Sequence, residues 1–120
     1  MKHAILIVDD DEDMLDWLER VLGPVFDVTR AESGEEALEL LQRQRYAALV
    51  CDDLMPGMRG IEVCARARAA DPRLACVLLS GLSDQMRDAA ADRVLLKPVD
   101  TGALRHAIEA AIVAKSTVQR

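Results

Sequence analysis

Leu49-Val50-Cys51-Asp52-Asp53-Leu54-Met55-Pro56-Gly57 reads as a short buried strand that runs into two carboxylates and then breaks. Leu49, Val50 and Cys51 form an unbroken apolar run, as in parallel strands covered on both faces. Pro56 has no amide hydrogen to donate and Gly57 is free in φ, so the ladder stops there. Asp52 therefore falls at the carboxyl end of a strand, where open α/β sheets place their ligands. A charge buried there without a partner is costly, so the acid implies one.

A second acidic cluster ends the first apolar run, Ile5-Leu6-Ile7-Val8-Asp9-Asp10. Two strands that deliver acids to one sheet edge can jointly hold a hard divalent cation, which takes oxygen ligands. The chain around them has 120 residues, the size of one domain. Its core must come from Leu, Val, Ile, Ala and Met, because Phe, Tyr and Trp occur once each. The formal net charge is −6 with no basic stripe, which argues against direct nucleic-acid binding. No apolar run reaches transmembrane length and no charged-then-apolar leader precedes the first strand, so a soluble cytoplasmic protein without membrane association is expected. Cys51, Cys64 and Cys76 lack the short spacings of zinc sites and read as reduced core residues. His3 and His106 lie in no motif and read as structural or surface residues.

In chain order, residues 4–8 form a central strand by length and β-branching. Asp11, Glu12 and Asp13 suit a first helical turn, whose free amides favour negative charge. Met14, Trp17, Leu18 and Val21 follow at helical spacing, and Gly23-Pro24 stops the helix. Val25 to Thr29 alternates as an edge strand does. Ser33 and Glu36 form a capping box for a helix that ends near Gln44. After the strand at 46–51, a helix from Gly60 to Asp71-Pro72 uses Ile61, Val63, Cys64 and Ala67. Leu74 to Leu79 is a fourth strand ending in Ser80-Gly81. Ser83-Asp84 starts a short helix through about Ala90. Val94 to Leu96 is a fifth strand ending in Lys97-Pro98. Asp100 caps a last helix carrying Leu104, Ala107, Ile108, Ala111 and Ile112, and residues 115–120 form a polar tail, frayed or the start of a linker, beyond a domain of residues 1–114.

Strands alternating with helices predict a three-layer α/β sandwich, (βα)5, with a parallel sheet in the flavodoxin-like order 2-1-3-4-5 and a shortened fourth helix. That order sets the first and third strands side by side at the switch point. Asp9, Asp10 and Asp52 then share a rim with Ser80 and Lys97. Such a rim suits phosphoryl transfer to a carboxylate. Asp52 is the nucleophile, Mg2+ relieves the repulsion of three acids, and Lys97 is a mobile charge for phosphoryl oxygens. The Ser80 hydroxyl and the Gly81 amide can donate to the phosphoryl group.

Val8-Asp9-Asp10, Asp52 to Gly57 with Gly60, Ser80-Gly81 and Lys97-Pro98 resemble the receiver domain of two-component response regulators, over nearly the whole chain. The resemblance implies that Asp52, four residues before the motif proline, is the phosphoacceptor rather than Asp53. It implies Mg2+ (or Mn2+) held by Asp10, Asp52 and the Leu54 carbonyl, with Asp9 acting through a metal-bound water. It makes Ser80 the switch hydroxyl, and Lys97-Pro98 a cis peptide. It implies a histidine kinase or histidine phosphotransfer protein as donor, and a downstream output domain or protein. It leaves homodimerisation open. Such a domain catalyses its own phosphorylation and dephosphorylation but is no turnover enzyme. Asp53 points elsewhere by strand alternation and is expected to be solvated or to cap.

Two departures from the family pattern stand out. The switch-region position that usually carries an aromatic residue holds Val94, and the segment from Ser80 to Val94 is short by about one helical turn. Leu54 and Leu82, which flank the path of the hydrolytic water in this family, offer it no polar group, so slow self-dephosphorylation is expected. The alternative function is a pseudo-receiver, a protein-interaction module without phosphorylation, although such modules usually lack one of the acids or the lysine. A nucleotide-binding enzyme of similar fold calls for a glycine-rich loop after the first strand, where this chain has acids.

Overall fold

Residues 2–81 and 91–118 are described by the structure, a computed structural model. Along them lie β1 (Ala4–Val8), α1 (Glu12–Leu22), β2 (Asp27–Ala31), α2 (Gly34–Arg43) and β3 (Ala48–Asp52). Then follow α3 (Gly60–Ala70), β4 (Ala75–Ser80), β5 (Arg93–Leu96) and α4 (Thr101–Val118). The strands form one parallel sheet in the order β2-β1-β3-β4-β5, as expected. The expected short helix from Ser83 to about Ala90 lies outside the described residues, as does Leu82.

Alternation along the strands builds two cores, one on each face. Ile5, Ile7, Ala48, Val50, Ala75, Val77 and Leu79 pack under α1 and α4. Leu6, Val8, Leu49, Cys51, Cys76 and Leu78 pack under α2 and α3. Both rows of β1, β3 and β4 are apolar because helices cover both sides, which is why these strands read as unbroken apolar runs. Each fully buried Leu or Ile contributes about 2 kcal/mol. All three cysteines are free and buried in the core, as their surroundings in the sequence predicted.

Local signals account for the helix ends. Ser33 Oγ accepts the Glu36 amide at 3.1 Å, and Glu36 Oε1 accepts the Glu32 amide at 2.7 Å, a capping box whose return bond falls one residue before the N-cap. Asp11 caps α1 by accepting the Asp13 amide at 3.0 Å, and Asp100 accepts the Ala103 amide at 2.9 Å at the start of α4. Gly57 turns the chain after β3 with φ 84°, a region open to glycine without strain. The Lys97-Pro98 peptide is cis.

Three expectations are corrected. The buried stripe of α1 is Leu15, Leu18 and Leu22, while Met14, Trp17 and Val21 flank it, half-covered. A stripe wide enough to face a twisted sheet takes in both rows, and the spacing that starts at Met14 finds only its edge. β2 begins at Asp27 rather than Val25, because Val25 and Phe26 donate their amides back to Leu22 and close the turn. The chain does not fray from Lys115, since α4 runs on to Val118. Lys115 Nζ lies 3.2 Å from Asp92 Oδ1 and 3.3 Å from the Pro72 carbonyl. Asp92 also exchanges hydrogen bonds with the Cys76 backbone, at 2.8 and 2.7 Å, and so anchors the start of β5.

Candidate functional site

Parallel register brings the acids together. Val8 pairs with Cys51, so Asp9 and Asp52 leave the sheet side by side. Asp52 is level with Leu79, and Ser80 with Leu96, so Lys97 emerges just beyond the same edge. Parity then sorts the side chains. Asp9 continues the row Ile5-Ile7, Asp52 the row Ala48-Val50, and Lys97 follows Leu95, all on the α1/α4 side. Asp53 continues the row Leu49-Cys51 on the α3 side.

Carboxylate oxygens of Asp9, Asp10 and Asp52 lie within 4.8 Å of one another. Lys97 Nζ reaches Asp52 Oδ1 at 2.5 Å. Asp9 Oδ1 accepts the Asp11 amide at 2.9 Å, whereas Asp9 Oδ2 is buried with no hydrogen-bond partner among the described residues. These groups, with Leu54 and Gly81, line a cavity of about 320 Å3. Three carboxylates against one ammonium leave a formal charge of −2 (3 − 1 = 2), the complement of one divalent cation. An all-oxygen donor set with an unpartnered buried acceptor fits Mg2+ or Mn2+.

Burial, helped by the charges of Asp52 and Asp10, pushes the Asp9 carboxyl from 3.8 up to about 6, against the opposing Asp11 amide and Lys97. Burial lowers the Lys97 pKa, but the hydrogen bond and charge of Asp52, with Asp9 and Asp10, outweigh it and the net shift is upward. A consequence can be measured. Between 3.8 and about 6 the native state holds the Asp9 proton more tightly than the unfolded chain does. Its contribution to stability is therefore full below that window and is lost as pH rises through it. Without divalent cations, the urea midpoint should fall from pH 4 to pH 6 more steeply in the parent than in Asp9→Asn. Mg2+ should flatten the parent's slope. Identical slopes in the two proteins would contradict this account of Asp9.

The remaining expected site residues fall as follows. Leu54 is 57% exposed at the cavity mouth. Gly81 lines the cavity, and a Cβ there would meet no atom of the described residues within 4 Å. Ser80 is buried at the same sheet edge, shares parity with Cys76 and Leu78, and does not line the cavity. Val94 pairs with Leu78 and packs against the α2/α3 core. Of the two expectations for Asp53, capping holds and solvation does not: it is fully buried, ion-paired to Arg59, and accepts the Ile61 amide at the start of α3. Two residues near Asp52 have structural roles the sequence reading did not assign. Arg59 stands in a loop where an arginine ordinarily signals only solvent. Gly60 was read as a helix start, yet its Cα packs directly on the Asp52 backbone.

A five-stranded parallel α/β sandwich with an acid triad and a lysine at its switch point defines a receiver domain. The chain belongs to that family, the response regulator receiver domain, which matches residues 5–109. It is similar to the response regulator receiver protein CpdR of Brucella abortus, at 35% identity over 92% of this chain and 97% of that protein. It is 33% identical to the hydrogenase transcriptional regulatory protein HoxA of Cupriavidus necator, over 89% of this chain but 24% of the relative. The chain thus spans about a quarter of HoxA and nearly all of CpdR. Among solved structures, the response regulator TrrA of Thermotoga maritima, in complex with Mg(2+)-BeF, superposes with a TM-score of 0.84 at 30% identity, covering 92% of this chain and 99% of that one. Receiver domains are signalling modules of two-component systems and bind Mg2+ in an acidic pocket. Among the described residues, no helix is long and apolar enough to cross a membrane.

Proposed function

We propose that the chain is a phosphorylation-dependent switch in which Asp52 accepts a phosphoryl group from a phosphohistidine on a histidine kinase or phosphotransfer protein. The observation that carries this reading is the convergence of Asp9, Asp10 and Asp52 opposite the Lys97 ammonium. In the transfer, an Asp52 carboxylate oxygen bonds to phosphorus, the P–N bond breaks, and the imidazole leaves with the electron pair. Asp10, Asp52 and the Leu54 carbonyl would hold Mg2+ or Mn2+ directly, and Asp9 through water. The ion, when bound, supplies the positive charge that lets an anionic donor approach the acids. Lys97, already on Asp52, needs only a small swing to reach the arriving phosphoryl oxygens. Gly81 lines the cavity, and its amide would donate to the phosphoryl group. Ser80 is buried outside the cavity, so engaging its hydroxyl requires a shift of the β4 end. That shift is the switch, and Val94 takes part in it without an aromatic ring. A new doubly charged group biases two existing states rather than making a new one. The reading places the domain in the cytoplasm, coupled to an output domain or protein.

Acetyl phosphate with Mg2+ tests the reading. The intact protein should gain the mass of one phosphoryl group, confined to the peptide containing Asp52 and absent in EDTA. No gain under these conditions would favour a pseudo-receiver acting by protein contact alone. The lifetime of the product is a separate expectation. Leu54 covers the cavity mouth with an apolar side chain that cannot orient water. Leu54→Asn should speed loss of the label by roughly tenfold, about 1.4 kcal/mol of barrier. The decay of labelled protein after donor removal measures it, and an unchanged or slower decay would sink the idea.

A further inference from the structure

Helix α3 starts without the usual device. Its N-cap is Arg59, which has no acceptor to offer, and no side-chain cap hydrogen bond is made there. The acceptor comes instead from Asp53, in the turn six residues earlier. Asp53 Oδ1 accepts the Ile61 amide at 3.4 Å, and Oδ2 pairs with the Arg59 guanidinium. The Asp53 backbone is held as well. Its amide donates to the Leu79 carbonyl and its carbonyl accepts the Gly60 amide, both at 2.9 Å. The residue is fully buried, while Arg59 remains about half exposed.

Residues 54–58 are thereby closed into a loop pinned at both ends. The loop begins two residues after Asp52 and carries the Leu54 carbonyl. Gly60, beside Arg59, sits so close that a Cβ on it would lie 2.2 Å from the Asp52 carbonyl oxygen. Any displacement of the α3 start is therefore passed to the Asp52 peptide. We infer that the Asp53–Arg59 ion pair, bridging the end of β3 and the start of α3, is a positioning latch that sets the geometry of Asp52 and of the Leu54 carbonyl for metal binding and phosphoryl transfer. Neither residue lines the acidic cavity. They act through the backbone they hold, as partners that orient metal ligands do elsewhere. This inference rests on the reading of Asp52 as phosphoacceptor.

The pair's charges provide a way to separate geometry from field. Arg59→Ala removes a positive charge near the acids, so by field alone it tightens Mg2+ binding. Asp53→Asn removes a negative charge, so by field alone it weakens binding. A latch predicts loss in both. The full chain and these variants are titrated with Mg2+ by calorimetry and labelled with acetyl phosphate, at a temperature where circular dichroism shows each folded. Both variants are expected to bind Mg2+ about tenfold more weakly, in the range seen when partners of metal ligands are removed, and to label more slowly. Arg59→Lys, which keeps the charge but not the planar fork, should fall between Arg59→Ala and the parent. Should Asp53→Asn not fold, the sign of the Arg59→Ala change decides alone. Tighter binding in Arg59→Ala, or parental affinity and rate in both variants, overturns the latch. A parent chain that neither binds Mg2+ nor takes the label removes the receiver reading itself, and the latch with it.

Discussion

Asp52→Asn is expected to abolish labelling by acetyl phosphate while leaving the protein folded. Asparagine fills the same volume and keeps one acceptor oxygen, but an amide oxygen does not form a stable acyl phosphate. Two of its neighbours are poorly placed to replace it. Asp53, adjacent in sequence, is buried on the α3 side of the sheet and ion-paired to Arg59. Asp9 is buried and carries the raised pKa described above, which weakens it as an anion at mildly acidic pH. The substitution should also lower the Asp9 pKa, since the charge of Asp52 is one of the causes that raise it. Intact-mass spectrometry reads the first outcome, and the NMR titration of the Asp9 carboxyl reads the second. A full phosphoryl mass on the variant, located on Asp53 or Asp10, would sink the assignment of the acceptor.

Among the described glycines, Gly60→Ala should be the most damaging alanine substitution. The added methyl would lie 2.2 Å from the Asp52 carbonyl oxygen and 2.8 Å from both the Asp52 carbonyl carbon and the Asp53 Cα. All three are backbone atoms, so no rotamer change relieves the contact. Helix α3 must lift from the end of β3, which strains the turn and breaks the hydrogen bond from the Gly60 amide to the Asp53 carbonyl. Overpacking of this kind costs about 3 kcal/mol, the upper part of the usual range. Labelling should slow as well, because the lifted element carries the peptide of the acceptor. Gly81→Ala is the control. A Cβ there meets no atom of the described residues within 4 Å, so its stability should match the parent within about 0.5 kcal/mol. Urea unfolding measures both. A loss of less than about 1 kcal/mol in Gly60→Ala would show that α3 does not rest on the acceptor strand as described.

Much of this architecture was legible in the chain because parallel strands covered on both faces leave a plain mark. Ile5 to Val8, Leu49 to Cys51 and Leu74 to Leu79 are apolar without alternation, and each ends in polar residues at the edge where the site is built. The capping box at Ser33 and Glu36 was equally clear, since both of its bonds are local. Less legible were features that depend on what packs nearby. The buried row of α1 was displaced because two rows share cover from the sheet and α4. The last helix looked frayed at Lys115 because the sequence does not show that Asp92 waits for it across the fold.

The amino-acid order alone settled which residues stand at strand ends, and therefore that Asp9, Asp10, Asp52 and Lys97 could meet. Unbroken apolar runs and the punctuation of Pro56, Gly57 and Pro98 were sufficient for that. What only the folded chain decided is how neighbouring acids divide. Asp52 was turned to the cavity and to Lys97, and Asp53 to the interior and to Arg59. The reason is that desolvation and pairing act through space. A carboxylate's surroundings are set by register and by the helix laid over it, and neither is written in its neighbours along the chain.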